Sequence, residues 1–364
     1  MPIFSYEAVT QRLPLPRQIS AYRLQRQSPT FRSNDRKGIM HAIAVKLIVA
    51  AALLSTAYSY THFVSNLRMS SASSKYQKTE PARFAVKTNQ LTDLVFASGA
   101  LAARLGAGTV VDGYKVSIAK DEENSEKYSI VSALGYYLKE DNKMTAIERK
   151  LDKSIVIYEF ESCPFCKKVR EAVTILDLNV LFKPCPRGGV KHRQEVVSKG
   201  GKSQFPFLVD ENTGEEMYES DDIIKYLYET YGGVPADKLA EEVPSVLSSS
   251  PVNTLSLGVA SLLRMGKGSS YAEARAPAEP LVLWGYEASP FVKLVRERLC
   301  ELEIPYTLVP CARSSKNRDL LVKSTGRFQV PYLEDANTGV NLFESSDILD
   351  YINEVYSVGY VPSV

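Results

Sequence analysis

Cys163-Pro164-Phe165-Cys166 is the stretch whose residue types and spacing best suit covalent chemistry. It stands at a strand-to-helix junction, where free backbone N–H groups and the helix dipole favour negative charge. Lys167 and Lys168 follow at once, and both effects lower the pKa of Cys163 from its usual value of about 8.5. Cys166, one helical turn further in, is within disulfide reach. Such a pair reads first as a redox site. A zinc half-site and two structural thiols are the alternatives, and the first lacks the second Cys or His pair that zinc needs. The bland reading of Lys167, Lys168 and Arg170 is a solvated helix face.

The flanking residues name the elements that must hold this pair. Ser154–Phe160 and Leu281–Tyr286 are apolar, β-branched and aromatic runs bounded by polar turns, hence strands. Pro164 and Pro290 suit a first helical turn, where a missing N–H costs nothing. Val169, Val173 and Leu176 then recur at helical spacing, as do Val295, Leu299 and Leu302. Asn212-Thr213-Gly214 and Asn337-Thr338-Gly339 are hairpin turns, and Ser220 and Ser345 are expected to cap the last helices.

These paired features are one unit written twice. IVIYEFESCPFCKKVREAVTILDLNVLFKPC (155–185) aligns with LVLWGYEASPFVKLVRERLCELEIPYTLVPC (281–311) at an offset of 126, and FPFLVDENTGEEMYESDDIIKYLYETY (205–231) with VPYLEDANTGVNLFESSDILDYINEVY (330–356) at 125. A fainter repeat precedes each copy: SGALAARLGAG (98–108) and LGVASLLRMGKG (257–268) both end Arg-x-Gly-x-Gly. The stretch Val252–Met265 is apolar enough to touch a membrane, but a helix packed on its own domain is the preferred reading. The organisation is therefore a leader (1–90), a helical lead-in (91–150), domain 1 (153–232), a linker with a helix (233–279) and domain 2 (280–358).

Composition excludes other chemistries. The 364 residues carry 44 basic and 42 acidic groups, a total of +2 that conceals +10 over residues 1–90 and −8 over the rest. An acidic body is a poor nucleic-acid binder. Only His41, His62 and His192 exist, two of them in the leader, so a histidine triad or histidine metal site is excluded from the body. Five cysteines without regular spacing argue against a secreted disulfide framework. Cys185 and Cys311 align with each other and read as packed thiols, and Cys300 as a core residue. Within the leader, Met40 begins a signal-peptide pattern with cleavage after Ser59, followed over 60–90 by basic, Ser/Thr-rich transit-peptide composition. Bipartite plastid targeting is the expectation, with Met40 the initiator. Secretion is the alternative.

Cys-Pro-Phe-Cys at this position resembles the glutaredoxin active site, and each copy is similar to the glutathione-binding N-terminal domain of glutathione transferases. Together with the lead-in motifs, the chain resembles plastid tandem thioredoxin-fold proteins of the glutathione S-transferase family. The resemblance implies an α/β fold of two tandem thioredoxin-like domains, each preceded by a helical lead-in. It makes Phe205-Pro206 and Val330-Pro331 the cis-proline loops, and Glu219-Ser220 and Glu344-Ser345 the pairs that receive the glutathione γ-glutamyl group. The implied glutathione set is then Phe165, Lys167, Phe205, Pro206, Glu219 and Ser220. A second set is Ser289, Phe291, Val330, Pro331, Glu344 and Ser345. In copy two, Ser289 and Val292 replace Cys163 and Cys166, which removes both thiols.

The expected function is glutathione-dependent thiol–disulfide exchange, with Cys163 attacking, Cys166 resolving and copy two serving as a binding or docking copy. Glutathione is the co-substrate, an unidentified protein disulfide the other partner, and no metal is expected. A non-catalytic glutathione-binding scaffold is one alternative. A glutathione transferase, or an isomerase like prostaglandin E synthase type 2, is another. Both need an all-helical second domain, for which residues 233–279 and the eight residues after Tyr356 are too few.

Overall fold

The computed structural model describes residues 75–76, 86–120, 132–133, 136–149 and 151–360. The signal-like stretch 40–59, and the transit-like stretch 60–90 apart from 75–76 and 86–90, lie outside the described residues. Everything described belongs to one compact unit, Val64–Val364.

The lead-in starts with α1 (Leu91–Ala102), but its only other helical piece among the described residues is a 3-10 turn, Met144–Ala146. Beyond α1, β1 (Lys115–Lys120), β2 (Ser132–Ala133) and β3 (Tyr136–Asp141) form an antiparallel sheet in the order β1-β3-β2. The period-two alternation in KVSIAK, with Val116 and Ile118 on one side, favours a strand over a helix.

Copy one follows as β4 (Ile155–Glu159), α2 (Pro164–Ile175), β5 (Val180–Pro184), α3 (His192–Gly200), β6 (Phe207–Asp210), β7 (Glu215–Met217) and α4 (Ser220–Thr230). A connection holding α5 (Leu239–Glu242) and α6 (Pro251–Leu262) leads to copy two: β8 (Leu281–Gly285), α7 (Pro290–Glu301), β9 (Tyr306–Pro310), α8 (Lys316–Thr325), β10 (Tyr332–Asp335), β11 (Val340–Phe343) and α9 (Ser345–Tyr356). In each copy the first two strands are parallel and joined by a helix, and the last two form an antiparallel hairpin. Asp210 anchors one hairpin by accepting hydrogen bonds from the Tyr226 and Tyr231 hydroxyls, as Asp335 does from Tyr351 and Tyr356. The tyrosines of the last helices are therefore packing residues with a polar anchor.

The two sheets fuse. The order β11-β10-β8-β9-β5-β4-β6-β7 is a palindrome about an antiparallel β5–β9 pairing, in which Phe182 stacks on Tyr306 at 5.6 Å. Each strand would otherwise be an open edge. One apolar core, running from Ile155 and Val180 to Leu281 and Leu308, continues across the joint.

The lead-ins cross over. Leu94 and Ala97 of α1 pack on Leu294 of copy two, and α6 packs on α2 of copy one. The expectation that the lead-in helix lies on its own domain is thus corrected: each covers the other copy, while its arginine does the reverse. Arg104 makes a two-point pair with Glu171 of copy one (2.9 and 2.6 Å), and Arg264 with Glu297 of copy two (2.7 and 2.6 Å). The Arg-x-Gly-x-Gly motif follows from this crossing. Gly108 (φ +83°) and Gly268 (φ +72°) adopt a left-handed backbone, and a Cβ there would stand 2.8 Å from Glu287 Cβ or 2.7 Å from Glu161 Cβ.

Part of the stretch read as leader also joins this body. The Tyr76 ring meets Tyr351 edge-on, its hydroxyl donates to Glu354, and Lys87 pairs with Asp347 and Asp350.

Candidate active site

Cys163 is the cap residue of α2, with extended backbone (φ −72°, ψ 122°) and Pro164 beginning the helix. Its Sγ accepts the Cys166 N–H at 3.2 Å and lies 4.0 Å from the Phe205 carbonyl, the residue before cis-Pro206. Burial opposes a charge on Cys163. Hydrogen bonds from the Cys166 thiol and N–H, and the charge of Arg170, outweigh it and hold the Cys163 pKa below its ordinary value. Cys166, buried behind it, is pushed well above the ordinary range by desolvation and by its neighbour Cys163. Both thiols are free. The pair is thus unequal: Cys163, at the start of the helix, is the more acidic thiol, and Cys166 behind it the less acidic. Copy two keeps the same cap with a hydroxyl, Ser289 Oγ accepting the Val292 N–H at 3.3 Å.

The cations after Cys163 are not a solvated face. Lys167 Nζ lies 2.8 Å from Glu287 of copy two, and Lys168 pairs with Asp221. This corrects the placement of Lys167 in the glutathione set: its side chain is turned across the copy interface. Arg170 reaches Glu159, Glu161 (3.4 Å) and Glu287 (3.1 Å). Copy two mirrors this, with Lys293 on Glu161 (2.7 Å) and Arg296 on Glu161 (3.2 Å) and Glu287 (2.8 Å). All of these groups except Asp221 are buried, so each charge needs its partners. Glu159 is the odd member, because Gly285 takes its place in copy two. Burial, with Glu161 and Glu287 nearby, pushes its pKa up to about 7 against the pull of Arg170.

Glu159 also acts on Cys163, raising its pKa. Removing that negative charge in Glu159→Gln is expected to shift the midpoint of Cys163 alkylation by iodoacetamide to lower pH. A midpoint unchanged or higher contradicts this arrangement.

Both X-Pro bonds of the expected loops are cis, Phe205-Pro206 and Val330-Pro331. The Glu-Ser pairs differ from expectation in detail. The cap residues are Glu219 (φ +66°) and Glu344 (φ +64°), whose side chains make no cap hydrogen bond, and Ser220 and Ser345 are the first helical residues, both buried. Gln204 holds Glu219 at 2.5 Å, and Gln329 holds Glu344. Phe165 is 48% exposed at the start of α2.

In copy two all six expected residues (Ser289, Phe291, Val330, Pro331, Glu344 and Ser345) line one cavity of about 660 Å³. In copy one the large cavity, about 850 Å³, takes only Phe205 of the expected set. It lies on the side of Phe160, Arg187, Arg193 and Ser203, walled by Leu262 and Met265 of the second lead-in. Arg187 and Arg193, with their counterparts Arg313 and Arg318 in the other cavity, were missed by motif reading. Their recurrence in both copies, outside any motif, was the available signal. The Arg193 guanidinium stacks 4.8 Å over Phe205. The crossing lead-ins complete both cavities: Ser269 O accepts the Arg187 N–H at 2.6 Å, and Thr109 O the Arg313 N–H at 2.8 Å.

Among the described residues, no group of three His, Cys, Asp or Glu side chains is placed to hold a metal ion. Residues 157–235 and 283–358 each match the family model described as glutathione S-transferase, N-terminal domain. No curated protein and no solved structure matches the chain.

Proposed function

From a chain that is a tandem thioredoxin-fold member of the glutathione S-transferase family, we propose a glutathione-dependent thiol–disulfide oxidoreductase that uses Cys163. The observation that carries the reading is the division of the Cys163–Cys166 pair. The Cys163 sulfur, at the cap of α2, accepts the Cys166 N–H at 3.2 Å and is the more acidic of the two, while Cys166 is the less acidic. A thiolate is the attacking species in disulfide exchange.

The Cys163 thiolate attacks the glutathione sulfur of a mixed disulfide. The new S–S bond forms as the old one breaks, and the substrate leaves as thiolate and takes a proton from water. A second glutathione, as thiolate, attacks the Cys163–glutathione disulfide, releasing oxidised glutathione and restoring Cys163. One disulfide is reduced and two glutathione moieties are joined. Glu219-Ser220 at the start of α4 and the backbone beside cis-Pro206 are the groups assigned to the tripeptide, since a helix start favours a carboxylate. Copy two, with a hydroxyl at Ser289 and its own cavity, is assigned to binding without turnover.

The full chain, given a glutathionylated substrate, glutathione and a reductase that recycles it, is expected to turn over. Dialysed against glutathione alone, the same preparation should hold two per chain. No turnover contradicts the oxidoreductase reading, and a single bound glutathione removes copy two from it.

The basic leader is assigned to plastid targeting on its sequence pattern. Because Tyr76 and Lys87 are bonded to α9, processing is expected before Lys75. N-terminal sequencing of the mature protein tests this, and a terminus after Lys75 contradicts it.

A further inference from the structure

The cavity beside Cys163 has a wall that its counterpart in copy two lacks. Its lining includes Gly258, Leu262 and Met265 from α6 and the turn after it, whereas Thr109 is the lead-in residue in the other cavity. Leu262 is 76% and Met265 74% exposed, so neither is needed by the core. The apolar surface continues outward. Val252 (75%), Leu255 (69%) and Val259 (40%) repeat at helical spacing along the outer stripe of α6, while Leu257 and Ala260 on the opposite side are buried. A second cavity of about 740 Å³, lined by Pro251, Leu255, Gly258, Val259 and Leu262, shares Gly258 and Leu262 with the first. The two form one track that begins beside Cys163, at its chain neighbour Ser162 and at Phe205, whose carbonyl lies 4.0 Å from the Cys163 sulfur.

We propose that this track binds the substrate polypeptide of Cys163: an extended segment with apolar side chains beside its glutathionylated cysteine. The proposal rests on the exchange reading above and adds the class of substrate. Length favours a peptide over a small molecule. From Val252 to Leu262 the helix advances about 15 Å at 1.5 Å per residue, the span of about four to five extended residues at 3.3 Å each. Continuity with the redox cleft favours a substrate over a dimer contact. The matching apolar residues of α1 (Leu91, Val95) are also exposed but line neither cavity.

Two decapeptides carrying a central glutathionylated cysteine test this, one flanked by Leu and Val, the other by Ser and Asn. The full chain is expected to reduce the apolar peptide with kcat/KM about tenfold higher, a difference of about 1.4 kcal/mol. In the Leu255→Asp/Leu262→Asp variant the ratio should collapse towards one. Both positions are exposed, and an unchanged Tm checks the fold. Equal rates for the two peptides, or a ratio the variant leaves alone, overturns the proposal. A second readout does not depend on turnover. Fluorescein-labelled, unmodified versions of both peptides are titrated with the Cys163→Ser chain, and anisotropy should report tighter binding of the apolar one, lost with the two aspartates. If the chain reduces neither peptide nor a small glutathione disulfide, the exchange reading fails, and the anisotropy still decides the docking site. Dimerisation abolished by the aspartates, or binding to phosphatidylcholine vesicles without preference between peptides, also overturns it.

Discussion

Cys163→Ser is expected to lower reduction of a glutathione mixed disulfide by at least about a thousandfold, or ~4 kcal/mol of barrier. The geometry makes the replacement clean. Copy two already holds a serine at the same cap, its Oγ accepting the Val292 N–H as Cys163 Sγ accepts that of Cys166, so the substitution keeps the fold and removes only the nucleophile. A hydroxyl does not ionise near neutral pH, and His192, the sole histidine of the body, is buried with Nδ1 on the Pro184 carbonyl. Cys166→Ser should behave differently. Its thiol is held protonated in the interior, and glutathione can resolve the intermediate in its place, so most turnover of glutathione mixed disulfides should survive. Reduction of an intramolecular protein disulfide should fall, because there Cys166 is the resolving thiol. Steady-state assay of the two variants beside the parent checks this. Equal loss in both would mean that the pair acts only as a dithiol.

Glu287→Leu should be the most damaging single change to stability, by about 3–5 kcal/mol, because it strands buried cations. Lys167, Arg170 and Arg296 all lie within 3.1 Å of its carboxylate, and every one of them is buried. The pH dependence has a definite sign. Arg296, Lys167 and Arg170 outweigh burial and hold the Glu287 pKa down at about 2. Its contribution is therefore complete above the unfolded-state value, about 4.3, and is lost as pH falls from there towards 2. Glu159, raised to about 7, acts the other way: its contribution is present below about 4.3 and lost as pH rises through 7. Urea unfolding of parent and variant at neutral pH and at pH 3 tests both statements. The variant should be weaker at neutral pH, with the gap narrowing in acid. Since the cluster joins the copies and the sheet runs through both, the parent should unfold in one transition. Two separate transitions would contradict the fused core.

How much of this was legible beforehand follows from what a residue pattern can carry. The repeat, the strand–helix order and the cap position of Cys163 were readable because turn residues and apolar spacing act locally: Pro164 and Asn212-Thr213-Gly214 say the same thing in any context. The cis loops and the Glu-Ser pairs came with the family resemblance, and the structure moved the cap itself to Glu219. The fate of Lys167 and Arg170 was not legible. A charged face on an amphipathic helix is normally solvated, and its carboxylate partners, Glu161 and Glu287, belong to different copies 126 residues apart. Nor were the crossed lead-ins, since adjacency in sequence suggested that α6 covers the domain it leads into. The joint between β5 and β9 escaped because an edge strand and an inner strand share the same alternation. The Cys163–Cys166 half of the candidate site is local, and its placement at the helix start was legible. The Arg187–Arg193 wall with Leu262 and Met265 is assembled across the copies and was not.

Capture of the covalent intermediate tests the central claim most directly. The full chain is mixed with oxidised glutathione without a recycling reductase, quenched with acid, and read by intact mass and peptide mapping. The account expects one glutathione per chain, released by thiol reductant and located on Cys163, and accumulating in Cys166→Ser, where the inner thiol cannot displace it. An adduct confined to Cys185, Cys300 or Cys311, or no adduct while the protein remains folded, would contradict it.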